Sequence, residues 1–429
     1  SNVICISTIK RKMQNLFNNY HFKLKLFFFT LLLIIIFYRS PYILLNGRFI
    51  NEEGWFWFRN SYIEGPIYGL FQMYWASGYF NLWANLCSVL ATIPKVEYAP
   101  YVTVYLSLLL KLYIIYYILN SESLFLTKIF YKILTSFIVV VSPPIVPEIW
   151  LNSLNSQTFF GILTVLIFFQ TNKSQRLIHK VSPYVLLISG LTTLYTCILS
   201  PFFFIKYYLS KNKEDLKNFI FIGSATLVQF IIFSYTKISG MQHDLRFHSS
   251  IDKFINYNYN VIVKSVLGRE TSQHIIEKLS HFNFYHLLLV FLSLLILVIY
   301  LMRLLNKNEK DNTLIYLILF FIIESMFAYA GSWGEQVQGR YAVVPGVILL
   351  FIFIRLAQNN SKLIKVFSIS VILFSLFAGL YEFKHNTKYP SFLICMNCPH
   401  WNEEIKIWRN NSDYKIKIWN YPNTHMYLN

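Results

Sequence analysis

The stretch Phe49-Ile50-Asn51-Glu52-Glu53-Gly54-Trp55-Phe56-Trp57 places two carboxylates, a glycine and two tryptophans directly after the first long apolar run. A carboxylate there suits general-base work. It can take the proton of an acceptor hydroxyl, and burial against Trp55 and Trp57 would raise its pKa toward that task. Consecutive side chains point different ways, so one of Glu52 and Glu53 reaches the hydroxyl. Gly54 lets the backbone approach a ligand closely, which favours Glu53. The competing reading is an acidic, solvated loop.

A second cluster is Ser142-Pro143-Pro144-Ile145-Val146-Pro147-Glu148-Ile149-Trp150-Leu151-Asn152-Ser153-Leu154-Asn155-Ser156-Gln157. Its prolines end an apolar run and stiffen the loop. Glu148, Asn152, Asn155 and Gln157 then offer polar groups for sugar hydroxyls, and Trp150 and Trp55 offer ring faces for a sugar. Asn and Ser at that position also suit helix capping. A third cluster, Gly339-Arg340-Tyr341 with Pro345, opens a late apolar run. Arg340, with Tyr341 beside it, suits a phosphate, because a planar guanidinium pairs well with that anion. The alternatives are an arginine snorkelling to the interface or one paired with Glu335. Arg246, in the basic loop 238–281, is a further phosphate candidate. Lys111 and Glu324 fall inside apolar runs, where charges are functional candidates by default.

These groups have to be positioned by membrane-embedded helices. The chain is 55% hydrophobic and 14% charged, with mean hydropathy +0.45. Its apolar runs reach about 17–25 residues, the length that crosses a bilayer core of roughly 30 Å. They read as spans at about 26–45, 100–119, 128–146, 156–171, 183–209, 217–237, 282–303, 313–330, 341–357 and 363–382. The first is expected to be a retained helix, because its basic flank is followed by no small-residue cleavage site. Residues 66–94 contain Gly69, Gly78, Asn81, Asn85 and Pro94, and read as short helices along the membrane surface. Gly190, Ser200 and Pro201 break 183–209 into two short helices.

Taken as one side of the membrane, residues 1–25, 120–132, 172–180, 206–217, 303–311 and 355–365 hold 20 of the 38 Lys+Arg but 5 of the 20 Asp+Glu. That bias satisfies the positive-inside rule. It explains the net charge of +18 without a nucleic-acid partner, and puts the three polar clusters on the outer face. No glycine-rich P-loop is present, and no internal repeat of the kind that builds many transporters. Cys395 and Cys398 form a single pair in the tail, which suits a local disulfide in an oxidising compartment better than a four-ligand zinc site. The alternating Tyr414-Lys415-Ile416-Lys417-Ile418-Trp419 reads as a strand in a small cap.

The acidic pair after one span resembles the GT-C superfamily of membrane glycosyltransferases. So do the proline-rich loop ending in Glu148-Ile149-Trp150-Leu151-Asn152, the broken helix with Gly190 and Pro201, Gly339-Arg340-Tyr341 with Pro345, and the short tail. The combination looks like bacterial members that use polyprenyl-phosphate sugars, such as those decorating O-antigen or other surface glycans. The resemblance implies an all-α polytopic membrane protein with about eleven transmembrane helices or half-helices, outer-face loops and a small C-terminal outer cap over 383–429. It implies a multi-pass protein of the inner membrane whose site faces the periplasm. The expected reaction is inverting transfer from a polyprenyl-phosphate-linked sugar to a glycan or glycolipid acceptor. Glu53 or Glu52 is the expected base, where the family often has Asp, and Arg340 is expected on the lipid phosphate. No cofactor beyond the lipid-linked donor and no metal is expected. The alternatives are a polymerase or ligase of polyprenyl-diphosphate-linked glycans, and a glycolipid flippase without catalysis.

Overall fold

A computed structural model describes residues 2–171, 177–241, 249–278, 312–332, 339–383, 399–419 and 424–429, with scattered positions between 288 and 302 and residue 393. Side chains are described from residue 21, except at 275–278. The described chain is helical almost throughout. Its principal helices are α1 (Asn2–Arg39), α2 (Leu82–Ala91), α3 (Ala99–Asn120), α4 (Ile129–Val141), α5 (Gln157–Phe168) and α6 (Ser182–Thr192). They continue with α7 (Ser200–Ser210), α8 (Lys213–Ile238), α9 (Asn312–Gly331), α10 (Val343–Leu356), α11 (Lys362–Glu382) and α12 (Trp401–Asn410). Two short strands, β1 (Ile416–Lys417) and β2 (His425–Met426), pair antiparallel, with Ile416 opposite Met426.

Local chemistry sets the helix starts. Pro100, Pro183 and Pro201 stand in the first turns of α3, α6 and α7, where a missing N–H removes no helical bond. The Asn81 side chain accepts from Ala84 N at 3.1 Å and caps α2. Asn212 does the same for Glu214 N at 2.9 Å, and Glu214 and Asp215 add favourable charge to the first turn of α8.

Among the described residues, six stretches are long and apolar enough to cross a membrane: His21–Arg39, Val96–Asn120, Lys213–Ile238, Asn312–Gly331, Gly339–Leu356 and Lys362–Glu382. The protein is thus an all-α polytopic membrane protein. α10 is buried along nearly its whole length and forms the centre. Around it Phe168, Phe169 and Phe320 pack ring to ring, and Phe125 packs on Phe351. The long outer helices keep exposed apolar side chains, including Phe27, Ile34, Phe230, Ile231 and Phe377, on the perimeter that lipid covers.

Three expectations change. The first run, expected over 26–45, stops at Arg39, and Pro41 opens a separate turn of helix, Pro41–Asn46. Residues 66–94 are short helices, but α2 does not merely lie on a surface. It packs on α3 and α6 and buries Asn85, Cys87 and Ser88. The stretch 183–209 breaks twice, at Thr193, where the backbone is extended, and at Ile198–Leu199 just before Ser200 and Pro201, and not at Gly190. Gly190 instead lets α6 meet α8: a Cβ there would lie 2.6 Å from the Ala225 side chain. The span expected over 282–303 and the pair Cys395 and Cys398 lie largely or wholly outside the described residues.

Among the described glycines Gly379 has the tightest surroundings. A Cβ at this position of α11 would sit 1.9 Å from the Val141 carbonyl oxygen at the end of α4. Backbone cannot step aside as a flexible side chain can. Gly379→Ala is therefore expected to destabilise the protein by about 3 kcal/mol, the upper part of the overpacking range. A denaturant or thermal unfolding series in detergent checks this, and an unchanged midpoint contradicts it.

The connections fall into two groups. Residues 47–60, 146–157 and 339–341 meet one another and the tail at one end of the bundle. Residues 121–128, 169–171, 177–179 and 357–358 meet at the other.

Candidate functional site

The first polar stretch turns on Asn51, whose φ of 46° lies in the left-handed region that asparagine tolerates. A π-helical segment, Glu53–Phe58, follows. Such wide turns recur at functional sites. The turn separates the two glutamates. Glu52 lines a cavity of about 140 Å³, whereas Glu53 points into the protein and is 1% exposed. Glu53 Oε1 accepts from both Ser153 N and Ser153 Oγ at 2.7 Å. Gly54, expected to admit a ligand, is instead filled by the tail: a Cβ there would lie 2.8 Å from Ile418 Cδ1 and 3.0 Å from Phe49 Cβ.

Glu53 is thus a clasp between the first connection and the proline-rich loop. Burial pushes its carboxyl above the usual range, while the Ser153 bonds and the nearby Arg48 charge oppose the rise. Arg48 donates to Trp150 O at 2.7 Å and lies 5.0 Å from the Trp419 ring. Burial lowers its guanidinium to about 10, against the pull of Glu53.

This clasp sets a pH dependence. In the unfolded chain a glutamate titrates near about 4.3, and in the fold Glu53 titrates higher. The folded state holds the proton more tightly, so this group's contribution to stability is complete below the unfolded value. It is lost as pH rises through the raised folded value. The stability difference between wild type and Glu53→Gln is expected to move against wild type as pH rises from about 4 to about 8. Melting curves of both proteins in detergent measure it, and a difference moving the other way refutes it.

The proline-rich loop passes through two 3₁₀ turns, Pro147–Ile149 and Leu154–Ser156, before α5 begins at Gln157. Asn152 donates to Glu148 O at 2.7 Å and accepts from Asn155 N at 2.7 Å. It is 1% exposed. Its amide therefore holds the loop, as the capping reading has it. Asn155 and Gln157 do line the cavity. Trp150 does not face a ligand. It is fully buried, with Lys111 Nζ 3.7 Å and Arg39 4.2 Å from its ring centroid. Lys111 also lies 4.0 Å from the Phe159 ring, so ring faces hold this intramembrane charge. Glu324 is buried in α9, and neither carboxyl oxygen has a hydrogen-bond partner among the described residues. It is not on the cavity wall.

Arg340 stands in a 3₁₀ turn, Gly339–Ala342, leading into α10. Its guanidinium pairs with Glu148 and lies 5.2 Å from the Tyr341 ring. Close approach of this turn to the proline-rich loop needs Gly339, since a Cβ would lie 2.9 Å from Val146. Arg340 and Tyr341 both line the cavity, and Glu52 acts electrostatically on Arg340. Glu148 supports the cavity from behind rather than lining it. Trp55 packs edge-on against Tyr74 and against the tail cluster, and it is Trp57 that reaches the cavity. Tyr74, Tyr79, Tyr195, Phe233 and Phe327 also line it, and none of these tyrosines stood out among the 31 of the sequence. Arg246 and Glu335 lie outside the described residues.

The tail braces this end. Trp419 N donates to Phe49 O at 3.1 Å, Trp401 Nε1 to Val96 O at 2.8 Å, and Arg59 Nε to Tyr427 O at 2.9 Å. The cavity thus joins a carboxylate, a guanidinium, two side-chain amides and several rings. The carboxylate can accept a proton, the guanidinium can hold an anion, and rings and amides suit a sugar or another polar ring. Among the described residues no three His, Cys, Asp or Glu side chains gather as metal ligands do.

Fold and site together define a polytopic all-α membrane protein with a charged, aromatic cavity at one end of its bundle. Compared with known proteins, the chain matches no family model, no curated protein sequence and no solved structure.

Proposed function

We propose that this protein is an inverting glycosyltransferase of the GT-C kind, using a polyprenyl-phosphate-linked sugar as donor and a glycan or glycolipid hydroxyl as acceptor. One observation carries the reading: the Glu52 carboxylate and the Arg340 guanidinium line the same aromatic cavity. In the reaction Glu52 takes the acceptor's proton as the acceptor oxygen bonds the anomeric carbon. The bond from that carbon to the phosphate oxygen breaks, and its electron pair leaves with the lipid phosphate, which Arg340 stabilises. Trp57, Asn155 and Gln157 hold the sugar. A lipid-borne donor suits a cavity at the end of a helix bundle, where headgroups lie. The basic bias of the opposite end supports an inner-membrane protein with this cavity outward.

The test is transfer by the purified chain in vesicles, with polyprenyl-monophosphate and polyprenyl-diphosphate sugars offered separately. Transfer from the monophosphate donor is expected. Transfer from the diphosphate donor alone would favour the polymerase or ligase reading. Lipid movement without a new glycosidic bond would favour the flippase.

A further inference from the structure

A second cleft, of about 390 Å³, opens at the opposite end of the bundle, between the start of α4, the end of α10 and the start of α11. α10 separates it from Arg340 by fourteen residues, about 20 Å at 1.5 Å per residue. Its lining includes Lys128, Arg355, Lys362 and Lys365, and among the described residues no carboxylate lines it. Ordinary basic flanks of spans spread over separate loops. Here two segments distant in sequence, 127–131 and 355–365, bring four cations to one concavity.

The floor is built in advance. Tyr131 Oη donates to Ala357 O at 2.9 Å, and Thr127 Oγ1 donates to Gln358 Oε1 at 3.0 Å. Gln358 Nε2 donates back to Ile354 O at 3.1 Å, and Asn359 Oδ1 accepts from Ser361 N at 2.8 Å. The start of α11, a helix of 21 residues, adds its positive dipole end. Beside the cleft Leu124, Phe130, Leu363 and Val366 are exposed, an apolar margin on which acyl chains can lie.

We propose that this cleft binds a phosphate-bearing anion, and that the anion is the headgroup of an acidic membrane lipid. The four cations attract a phosphodiester's negative charge, and the apolar margin distinguishes a lipid from free phosphate. Basic pockets between spans recognise acidic headgroups in this way, each nearby cation contributing about fivefold in affinity. The site is independent of the transfer reaction, and its test needs no activity.

The full chain is reconstituted in phosphatidylcholine vesicles containing phosphatidylglycerol, extracted in mild detergent, and its retained lipid counted by native mass spectrometry. Lys362→Gln/Lys365→Gln is expected to retain phosphatidylglycerol more weakly by about 25-fold, two lysines at about fivefold each, with phosphatidylcholine unchanged. Photoreactive phosphatidylglycerol applied to wild type is expected to label residues 124–131 and 355–366, a readout that holds even if the variant folds poorly. Equal retention in a folded variant, or labelling elsewhere, overturns the proposal. Inorganic phosphate forms the last arm. If it occupies the cleft while the lipid neither labels nor is retained there, the headgroup assignment falls and a soluble anion takes its place.

Discussion

Glu52→Gln is expected to lower kcat for sugar transfer by about a thousandfold, the middle of the range for losing a general base, while leaving the unfolding midpoint nearly unchanged. Glutamine keeps the size of the side chain and an oxygen that can accept a hydrogen bond. It cannot take the acceptor's proton at neutral pH. The side chain lines the cavity and is only partly buried, so the exchange does not strand a charge in the core. Glu53→Gln is the informative contrast. That side chain is held by Ser153 and does not line the cavity, so its loss is expected in the pH profile of stability while kcat stays within a few-fold. Kinetics of both variants in one vesicle preparation separate the roles. A normal rate for Glu52→Gln, or a collapse confined to Glu53→Gln, would return the base assignment to Glu53.

The reversal between these neighbours shows where sequence reasoning reaches its limit. Composition and run length were enough for the membrane class, because burying about twenty apolar residues in a row has few other solutions. Charge bias grouped the connections, and the fold does gather 47–60, 146–157 and 339–341 at one end. Glu52, Asn155, Gln157, Arg340 and Tyr341 line one cavity. Side-chain direction was not legible. A left-handed Asn51 and a π-helical turn decide which glutamate and which tryptophan face the cavity, and neither feature has a firm sequence signal. For Asn152 the ligand and capping roles stayed open because a polar residue beside a site and a polar residue holding the loop look alike in sequence. Only its bonds to Glu148 and Asn155 distinguish them. Lys111, between the rings of Trp150 and Phe159, needs partners that sequence spacing cannot bring together.

Arg340→Gln is the second large effect. Its expected cost is about a hundredfold in kcat, at the low end of the range for losing one preorganised donor to a developing negative charge. The guanidinium has five N–H donors, and its NH1 meets Glu148 Oε1, so other donors can turn to an incoming phosphate. If Arg340 meets the donor's phosphate, Glu148 is the arm that aims it, and Glu148→Gln is expected to raise KM for the donor more than it lowers kcat. Arg340→Lys keeps the charge but loses the planar fork that suits a phosphate, and should fall between wild type and Arg340→Gln. This ordering distinguishes phosphate recognition from a purely structural ion pair. If Arg340 only clamped the proline-rich loop, Glu148→Gln and Arg340→Gln would lower stability together and affect kcat alike. A hundredfold loss in Arg340→Gln at normal stability, with a KM effect in Glu148→Gln, is the pattern that places the donor's phosphate against this arginine.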